Sequence, residues 1–274
     1  MDTFGFHTIH GRATAIASGV KLSNPDLSVW VVTGDGDGLS IGGNHTIHLL
    51  RRNLDINVML FNNRIYGLTK GQYSPTSEVG KITKSTPFGS LDRPFNPSTL
   101  AMGANSTFVA RTIDKETKHM QEMIKRAYGH KGTSFLEIYQ NCNIFNDGAF
   151  APLTDKDTKS DKVLRLENGQ PMTFGVEQTK GIRLDGNTPI VVDIGDKWSL
   201  DDVLVHDESD YVIASLLSNL TYQPDFPDPI GVIYAIDSPT YEDLMVDQIN
   251  AAIEMKGAES VQNMLNTGDT WVVE

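Results

Sequence analysis

Two apolar runs that each close on a small polar turn constrain this chain more than any other feature. Ser28-Val29-Trp30-Val31-Val32-Thr33 is β-rich and ends on Gly34-Asp35-Gly36, while Ile56-Asn57-Val58-Met59-Leu60-Phe61 ends on Asn62-Asn63-Arg64-Ile65. Ile41 to Arg52 between them predicts a helix, so the stretch reads as one strand–helix–strand unit. In a parallel sheet both strands release their last residues at the carboxyl edge, where open α/β sheets bind ligands. Asp35 and Asn63, 28 residues apart, then arrive side by side. Each offers a hard oxygen of the kind Mg²⁺ takes, and Mg²⁺ prefers to share such oxygens with a substrate phosphate. The glycines let backbone N–H groups and a helix N-terminus approach phosphate oxygens closely. The two turns together predict a site for a Mg²⁺-bound diphosphate.

The rest of residues 1–150 fits the same architecture. Gly11 to Leu22 predicts a helix closed by Asn24-Pro25. Residues 66–98 are rich in Gly, Pro, Ser and Thr without periodicity and predict a long ordered loop, which in a compact domain is usually functional. Met102 to Ala110 predicts a short helix-and-strand step, Asp114 to His130 an amphipathic helix, and Ser134 to Tyr139 a buried strand. Alternating strands and helices indicate an α/β fold with a doubly wound, mostly parallel sheet. Past Asn146-Asp147-Gly148 the character changes. Polar stretches Thr154–Asp161 and Thr179–Asn187 surround short strands (Pro189–Ile194, Gly231–Ile236), and a helix runs from Thr240 to Met255. Residues 151–274 are expected to extend the core domain of residues 1–150 and to pack on it and on a partner.

Composition narrows the function classes. No stretch approaches 18 apolar residues, so no membrane span is expected. The start Met1-Asp2-Thr3-Phe4-Gly5 has neither the basic nor the apolar region of a signal peptide. A single cysteine excludes an internal disulfide framework and fits a reducing cytoplasm. The net charge of −12 argues against nucleic acid as a partner. Residues 151–274 carry 23 acidic and 8 basic side chains, whereas residues 1–150 carry 12 and 15. The acidic tail is either a solvated surface or the complement of a basic surface on a partner subunit.

The pairing of Gly-Asp-Gly with a downstream Asn-Asn resembles the thiamine diphosphate motif. Gly5-Phe6-His7-Thr8-Ile9-His10-Gly11-Arg12-Ala13, Gly34-Asp35-Gly36-Asp37-Gly38 and Ile65-Tyr66-Gly67-Leu68-Thr69-Lys70-Gly71-Gln72 resemble the β subunit of 2-oxoacid:ferredoxin oxidoreductases over residues 4 to about 148. Leu204-Val205-His206-Asp207-Glu208 and Pro227-Asp228-Pro229-Ile230-Gly231-Val232 are similar to the 2-oxoglutarate type of that subunit. The resemblance implies thiamine diphosphate and Mg²⁺ as cofactors and CoA-dependent oxidative decarboxylation of a 2-oxoacid, 2-oxoglutarate foremost, with electrons passed to ferredoxin. It also implies an α subunit. No Glu occurs before Glu78, so the carboxylate that thiamine diphosphate enzymes place at the aminopyrimidine would come from that partner.

Site residues follow from both readings. Asp35, Asn63 and the Ile65 carbonyl are the expected Mg²⁺ ligands, and Gly34, Gly36, Asp37, Gly38, Gly67, Leu68 and Thr69 the expected cofactor contacts. The doubled Gly-Asp-Gly-Asp-Gly lets either aspartate be the ligand, and the register on Asn63 favours Asp35. Thr69 is also a candidate substrate hydrogen-bonder. Lys70 could offset diphosphate charge or simply be solvated. His10 and Arg12 are candidates for holding the substrate carboxylate, Arg12 through a bidentate contact; the alternative is a short strand whose imidazoles satisfy backbone groups. His45 and His48 could face one metal from a helix, but no third ligand of matching spacing appears.

Cys142 falls where the resembling subunits have one of four [4Fe–4S] ligands. The other three have no counterpart, so a cluster is expected only if an N-terminally incomplete chain is restored. Two alternatives stand beside this expectation: a non-oxidative thiamine diphosphate decarboxylase or carboligase component, and a cluster-less remnant that binds thiamine diphosphate alone.

Overall fold

The computed structural model describes residues 3–195, 197–257 and 259–273. Along the chain run α1 (Ala13–Ser23), β1 (Val29–Gly34), α2 (Asp35–Leu39), α3 (Gly43–Arg52), β2 (Ile56–Asn62), α4 (Pro97–Gly103), β3 (Phe108–Ile113), α5 (Thr117–Gly129) and β4 (Ser134–Tyr139). They are followed by α6 (Ala151–Thr154), α7 (Lys159–Lys162), β5 (Val163–Arg165), β6 (Thr173–Phe174), β7 (Lys180–Asp185), β8 (Thr188–Asp193), α8 (Tyr211–Leu220), β9 (Asp228–Ala235), α9 (Tyr241–Lys256) and α10 (Val261–Leu265).

The main sheet has the order β1-β2-β4-β3-β9-β5. Strands β1, β2, β4 and β3 are mutually parallel, and β9 enters antiparallel to β3. β3 and β4 are buried at every position because helices cover both faces, the usual state of a central parallel strand. On one face Ala17 of α1 and Leu49 and Leu50 of α3 join one core cluster with Ile56, Val58 and Leu60 of β2; on the other, Phe108, Ala110, Leu136 and Ile138 pack against Met123 and Ala127 of α5. β6, β7 and β8 form a separate antiparallel sheet of three strands.

The expected alternation of strands and helices is present, with differences that have local causes. The helix expected over Ile41–Arg52 is present as α3, with Gly42 at its N-cap, and a further short helix, α2, starts at Asp35 itself. The step expected from Met102 begins earlier, because Asn96 accepts a bond from the Thr99 N–H and Pro97 occupies the first turn of α4. In the tail, the polar stretch 179–187 contains β7, whose Gly181 and Ile182 are buried, and α8 was not anticipated. Asp210 caps α8 by accepting from the N–H groups of Val212 and Ile213.

Candidate diphosphate and metal site

The parallel register places Gly34 of β1 opposite Phe61 of β2, so the two chain turns leave the sheet together. Asp35 opens α2 and is only 1 % exposed. Its Oδ1 accepts the Asn63 N–H at 3.3 Å and its Oδ2 lies 2.6 Å from the Thr76 hydroxyl. Burial pushes the Asp35 carboxyl above its usual range, although the hydroxyls of Ser74 and Thr76 and the Asn63 N–H oppose that rise. Among the described residues no cationic side chain pairs with it. A buried carboxylate with this surrounding favours a cation that brings its own charge into the site.

The asparagine pair divides into two roles. Asn62 is fully buried: its Nδ2 donates to Glu137 Oε1 at 2.8 Å, and its Oδ1 takes the Arg64 N–H at 3.3 Å and faces the Thr76 hydroxyl at 2.9 Å. Asn63 is half-buried, and its Oδ1 accepts only the Ile65 N–H, at 3.3 Å. That leaves Asn63 Oδ1 lone-pair capacity toward the turn. Arg64 adopts a left-handed conformation (φ 54°), and its carbonyl is tied down by Ser77 Oγ at 2.6 Å and by Asn146 Nδ2. The Arg64 guanidinium sits 4.5 Å above the Phe150 ring and 5.0 Å above that of Tyr222. Burial opposes its charge, but the phenols of Tyr222 and Tyr139 and the Asp228 carboxyl outweigh that and hold its pKa above the usual value. Carboxylate, carboxamide and carbonyl oxygens in this turn form a hard-oxygen set that suits Mg²⁺.

Gly36 can carry no side chain: a Cβ there would lie 2.4 Å from the Tyr66 ring, whose hydroxyl donates to the Gly36 carbonyl at 2.6 Å. The other expected residues are placed as follows. Asp37 turns away from Asn63; its Oδ2 accepts from Thr33 Oγ1 and its Oδ1 from the Gly11 N–H, both at 2.6 Å, while His10 Nδ1 lies 2.5 Å from Oδ1. Gly11 has φ 72° and touches Gly42 so closely that a Cβ would meet Ile41 and the Gly42 backbone. The His10–Arg12 turn is thereby docked on the start of α3. The Arg12 guanidinium rests on the Ile41 carbonyl at 3.3 Å. Gly38 packs under Thr33 and Leu60. Leu68, Thr69 and Lys70 are exposed, Leu68 at 97 %, and Thr69 Oγ1 reaches only the Tyr66 carbonyl at 3.4 Å. His45 and His48 gather no third ligand, and the described residues contain no group of three or more His, Cys, Asp or Glu able to hold a metal. Cys142 is half-buried in a tight turn with Asn146.

Three contributors were absent from the sequence reading. Thr76 comes from the long loop, where nothing in Ser74-Pro75-Thr76-Ser77 distinguishes it from a solvated segment. Arg111 and Glu137 did carry a signal: each is a lone charge inside an otherwise apolar strand. They are directly opposite in register and form a fully buried ion pair at 2.7 Å.

This fold and this pair of strand-end turns define a thiamine-diphosphate-binding α/β domain. Residues 1–138 match the family model for the C-terminal, TPP-binding domain of thiamine pyrophosphate enzymes. The chain is 48 % identical to the 2-oxoglutarate oxidoreductase subunit KorB of Mycobacterium tuberculosis over 278 aligned residues, covering all of this chain and 74 % of that protein. It is also 48 % identical to the 2-oxoacid:ferredoxin oxidoreductase subunit beta of Saccharolobus solfataricus, over 52 % of this chain and 47 % of that one. A chain of the 2-oxoglutarate:ferredoxin oxidoreductase from Magnetococcus marinus, solved with 2-oxoglutarate, coenzyme A and succinyl-CoA bound, superimposes with a TM-score of 0.74 at 30 % identity, covering 98 % of this chain and 77 % of that one. The chain belongs to the β subunits of the thiamine-diphosphate-dependent 2-oxoacid:ferredoxin oxidoreductases. No helix among the described residues is long and apolar enough to cross a membrane.

Proposed function

We propose that this β subunit holds Mg²⁺ through Asp35, Asn63 and the Ile65 carbonyl, and holds the diphosphate of its cofactor on the backbone of residues 34–38. The observation that carries this reading is the buried Asp35 carboxylate, set against the Asn63 turn and lacking a cationic partner among the described side chains. When bound, thiamine diphosphate supplies the nucleophilic carbon and the electron sink for decarboxylation. The chain's own residues do the rest from fixed positions. Asp35 and Asn63 orient the metal, α2 turns its first N–H groups toward the phosphate oxygens, and the Tyr66 ring closes the space beside Gly36. His10, held by Asp37, and Arg12, at the same edge, face the carboxylate of the incoming 2-oxoacid; the Gly67-Leu68-Thr69 segment, exposed at Leu68 and Thr69, borders it. We assign the aminopyrimidine half of the site to an α subunit, a reading supported by the lack of any Glu between the turns at Gly34 and Ile65.

We further assign 2-oxoglutarate as substrate, coenzyme A as acyl acceptor and ferredoxin as electron acceptor, in the cytoplasm. Whole-chain similarity to a subunit named for 2-oxoglutarate supports the substrate, and the ligands of the Magnetococcus structure support both 2-oxoglutarate and CoA. Cys142 would serve a [4Fe–4S] cluster only together with three further cysteines. The acidic tail, with Leu244, Ile249, Val261, Leu265 and Trp271 exposed along its last helices and end, is the surface we assign to the α subunit. The test is to co-purify the chain with its α subunit and follow viologen reduction. CoA-dependent reduction with 2-oxoglutarate, at least tenfold faster than with pyruvate, is expected. Equal rates would remove the substrate assignment, and no Mg²⁺-dependent binding of thiamine diphosphate would remove the site.

A further inference from the structure

Behind the two turns lies a continuous buried polar chain that no step above uses. Thr76, wholly buried, points its hydroxyl at Asp35 Oδ2 (2.6 Å) and at Asn62 Oδ1 (2.9 Å). Asn62 Nδ2 reaches Glu137 Oε1 (2.8 Å), which fixes the carboxamide so that its oxygen faces Thr76. Glu137 Oε2 accepts from Arg111 Nε (2.7 Å) and Ser98 Oγ (3.2 Å). Arg111 in turn donates to Ser98 Oγ, to Thr221 Oγ1 (2.6 Å) and to the Pro229 carbonyl. The chain therefore runs from the end of β1, through a hook of the 63–96 loop, across β2, β4 and β3, and into the tail.

From this geometry we propose that Thr76 is a positioning residue for the metal, bridging the β1 end to the β2 end and backed by the Arg111–Glu137 pair; the proposal rests on the assignment of Asp35 and Asn63 as metal ligands. Asp35 Oδ2 and Asn62 Oδ1 can only accept from the Thr76 hydroxyl, its third neighbour Ser74 Oγ (3.2 Å) can donate to it, and a hydroxyl has one proton. It therefore donates to one of them at a time, and the shorter contact gives it to Asp35. That bond holds one carboxylate oxygen in place and leaves the other facing the Asn63 turn. Asn62, committed to Glu137 and Thr76, is removed from the metal, which leaves Asn63 as the ligand of the pair. The hook itself is preorganised, since Ser77 Oγ takes the Ser74 N–H at 2.8 Å while donating to the Arg64 carbonyl. A group of this kind behind a metal ligand typically contributes roughly 10- to 100-fold in metal affinity.

The test uses the full chain with its α subunit and titrates Mn²⁺ in the presence of thiamine diphosphate, reading free Mn²⁺ by electron paramagnetic resonance. T76V, isosteric without the hydroxyl, is expected to weaken Mn²⁺ binding by about 10- to 100-fold. T76S should stay within about threefold of the parent, because it keeps the same donor. T76C, close in size with a weaker donor, should fall between and carries the same prediction if T76V does not fold. T76V binding Mn²⁺ as the parent does, or T76S as weakly as T76V, would overturn the positioning role while leaving the site assignment intact. Failure of the parent itself to bind Mn²⁺ with thiamine diphosphate would overturn the site assignment and this inference with it.

Discussion

Asp35 is kept buried at a cost in the metal-free protein. Its carboxyl pKa lies above the usual carboxylate range because burial outweighs the bonds it accepts. The folded state therefore binds that proton more tightly than the unfolded chain. Below the ordinary carboxylate value the group is neutral in both states and costs nothing; as pH rises through the raised value it ionises and folding loses free energy. Above that raised value the ionised group is thus a penalty that a bound cation removes. D35N replaces it without a new orphan, since an amide oxygen can take the Asn63 N–H and its NH₂ can donate to Thr76, which then donates to Asn62. D35N is expected to raise the melting temperature in metal-free buffer. It should also abolish the stabilisation that Mg²⁺ and thiamine diphosphate give the parent, about 2.7 kcal/mol at 100 times Kd. Paired thermal scans with and without cofactor measure both effects; a lower midpoint for metal-free D35N would contradict the account of burial.

At the scale of elements, β3 and β4 owe their unusual composition to the Arg111–Glu137 pair. A lone charge in an apolar strand would be expelled; two at opposed positions of adjacent parallel strands satisfy each other. Burial opposes the Arg111 charge, but the Glu137 carboxylate outweighs it and holds the arginine's pKa above its usual value. Removing one member leaves the other uncompensated, so E137Q and R111M are each expected to cost about 3–5 kcal/mol in urea unfolding. The double variant should cost less than the sum of the two by more than about 1 kcal/mol, because residues in direct contact couple. Additive losses would show that the pair is two independent packing contacts. β9 belongs to the same account, since Thr221 and Pro229, which flank and begin it, supply Arg111 with two of its acceptors.

For the molecule as a whole, three histidines contribute to the response to mild acid. His119, His130 and His206 all lie below the usual imidazole value of 6.5, each because burial opposes the cation. His206 Nε2 donates to the Val232 carbonyl at 2.8 Å, and His130 and His119 meet the hydroxyls of Thr107 and Thr112 at the same distance. The unfolded chain starts to take up protons near 6.5 while the folded state does not. Stability from these groups is complete above that pH and is lost as pH falls toward their depressed values. Calorimetric unfolding near pH 6, compared across buffers of different ionisation enthalpy, should show net proton uptake; release would contradict it. The far end of the molecule gives a separate expectation. α9 is anchored mainly at its start, where buried Glu242 accepts the Asp55 N–H at 3.0 Å, and most of its remaining length is exposed. Residues 259–273 beyond it are exposed at every position, so a chain ending at Lys256 should keep its melting temperature within about 2 °C, a shift worth less than about 1 kcal/mol in a domain of this size, and lose co-purification with the α subunit. Retained co-purification would remove the last helix from that interface.

The amino-acid sequence by itself determined the parallel unit and the identity of its two polar ends. Strand periodicity, a glycine turn and an asparagine turn are local properties, read over a handful of neighbouring residues. Gly34-Asp35-Gly36, Asn62-Asn63 and strand Ser134–Tyr139 were legible for that reason, and so was the long loop after Ile65. The register on Asn63 already favoured Asp35 over Asp37, but what Asp37 does instead was not legible, because it meets Gly11 and His10 only once α2 has formed. The same holds for Thr76, brought 41 residues back to Asp35 by a loop with no periodicity to read. It holds too for the insertion of β9 beside β3, which pairs residues more than a hundred positions apart. Only the tertiary structure decided these, since they depend on which distant groups can satisfy one another's hydrogen bonds and charge once water is excluded.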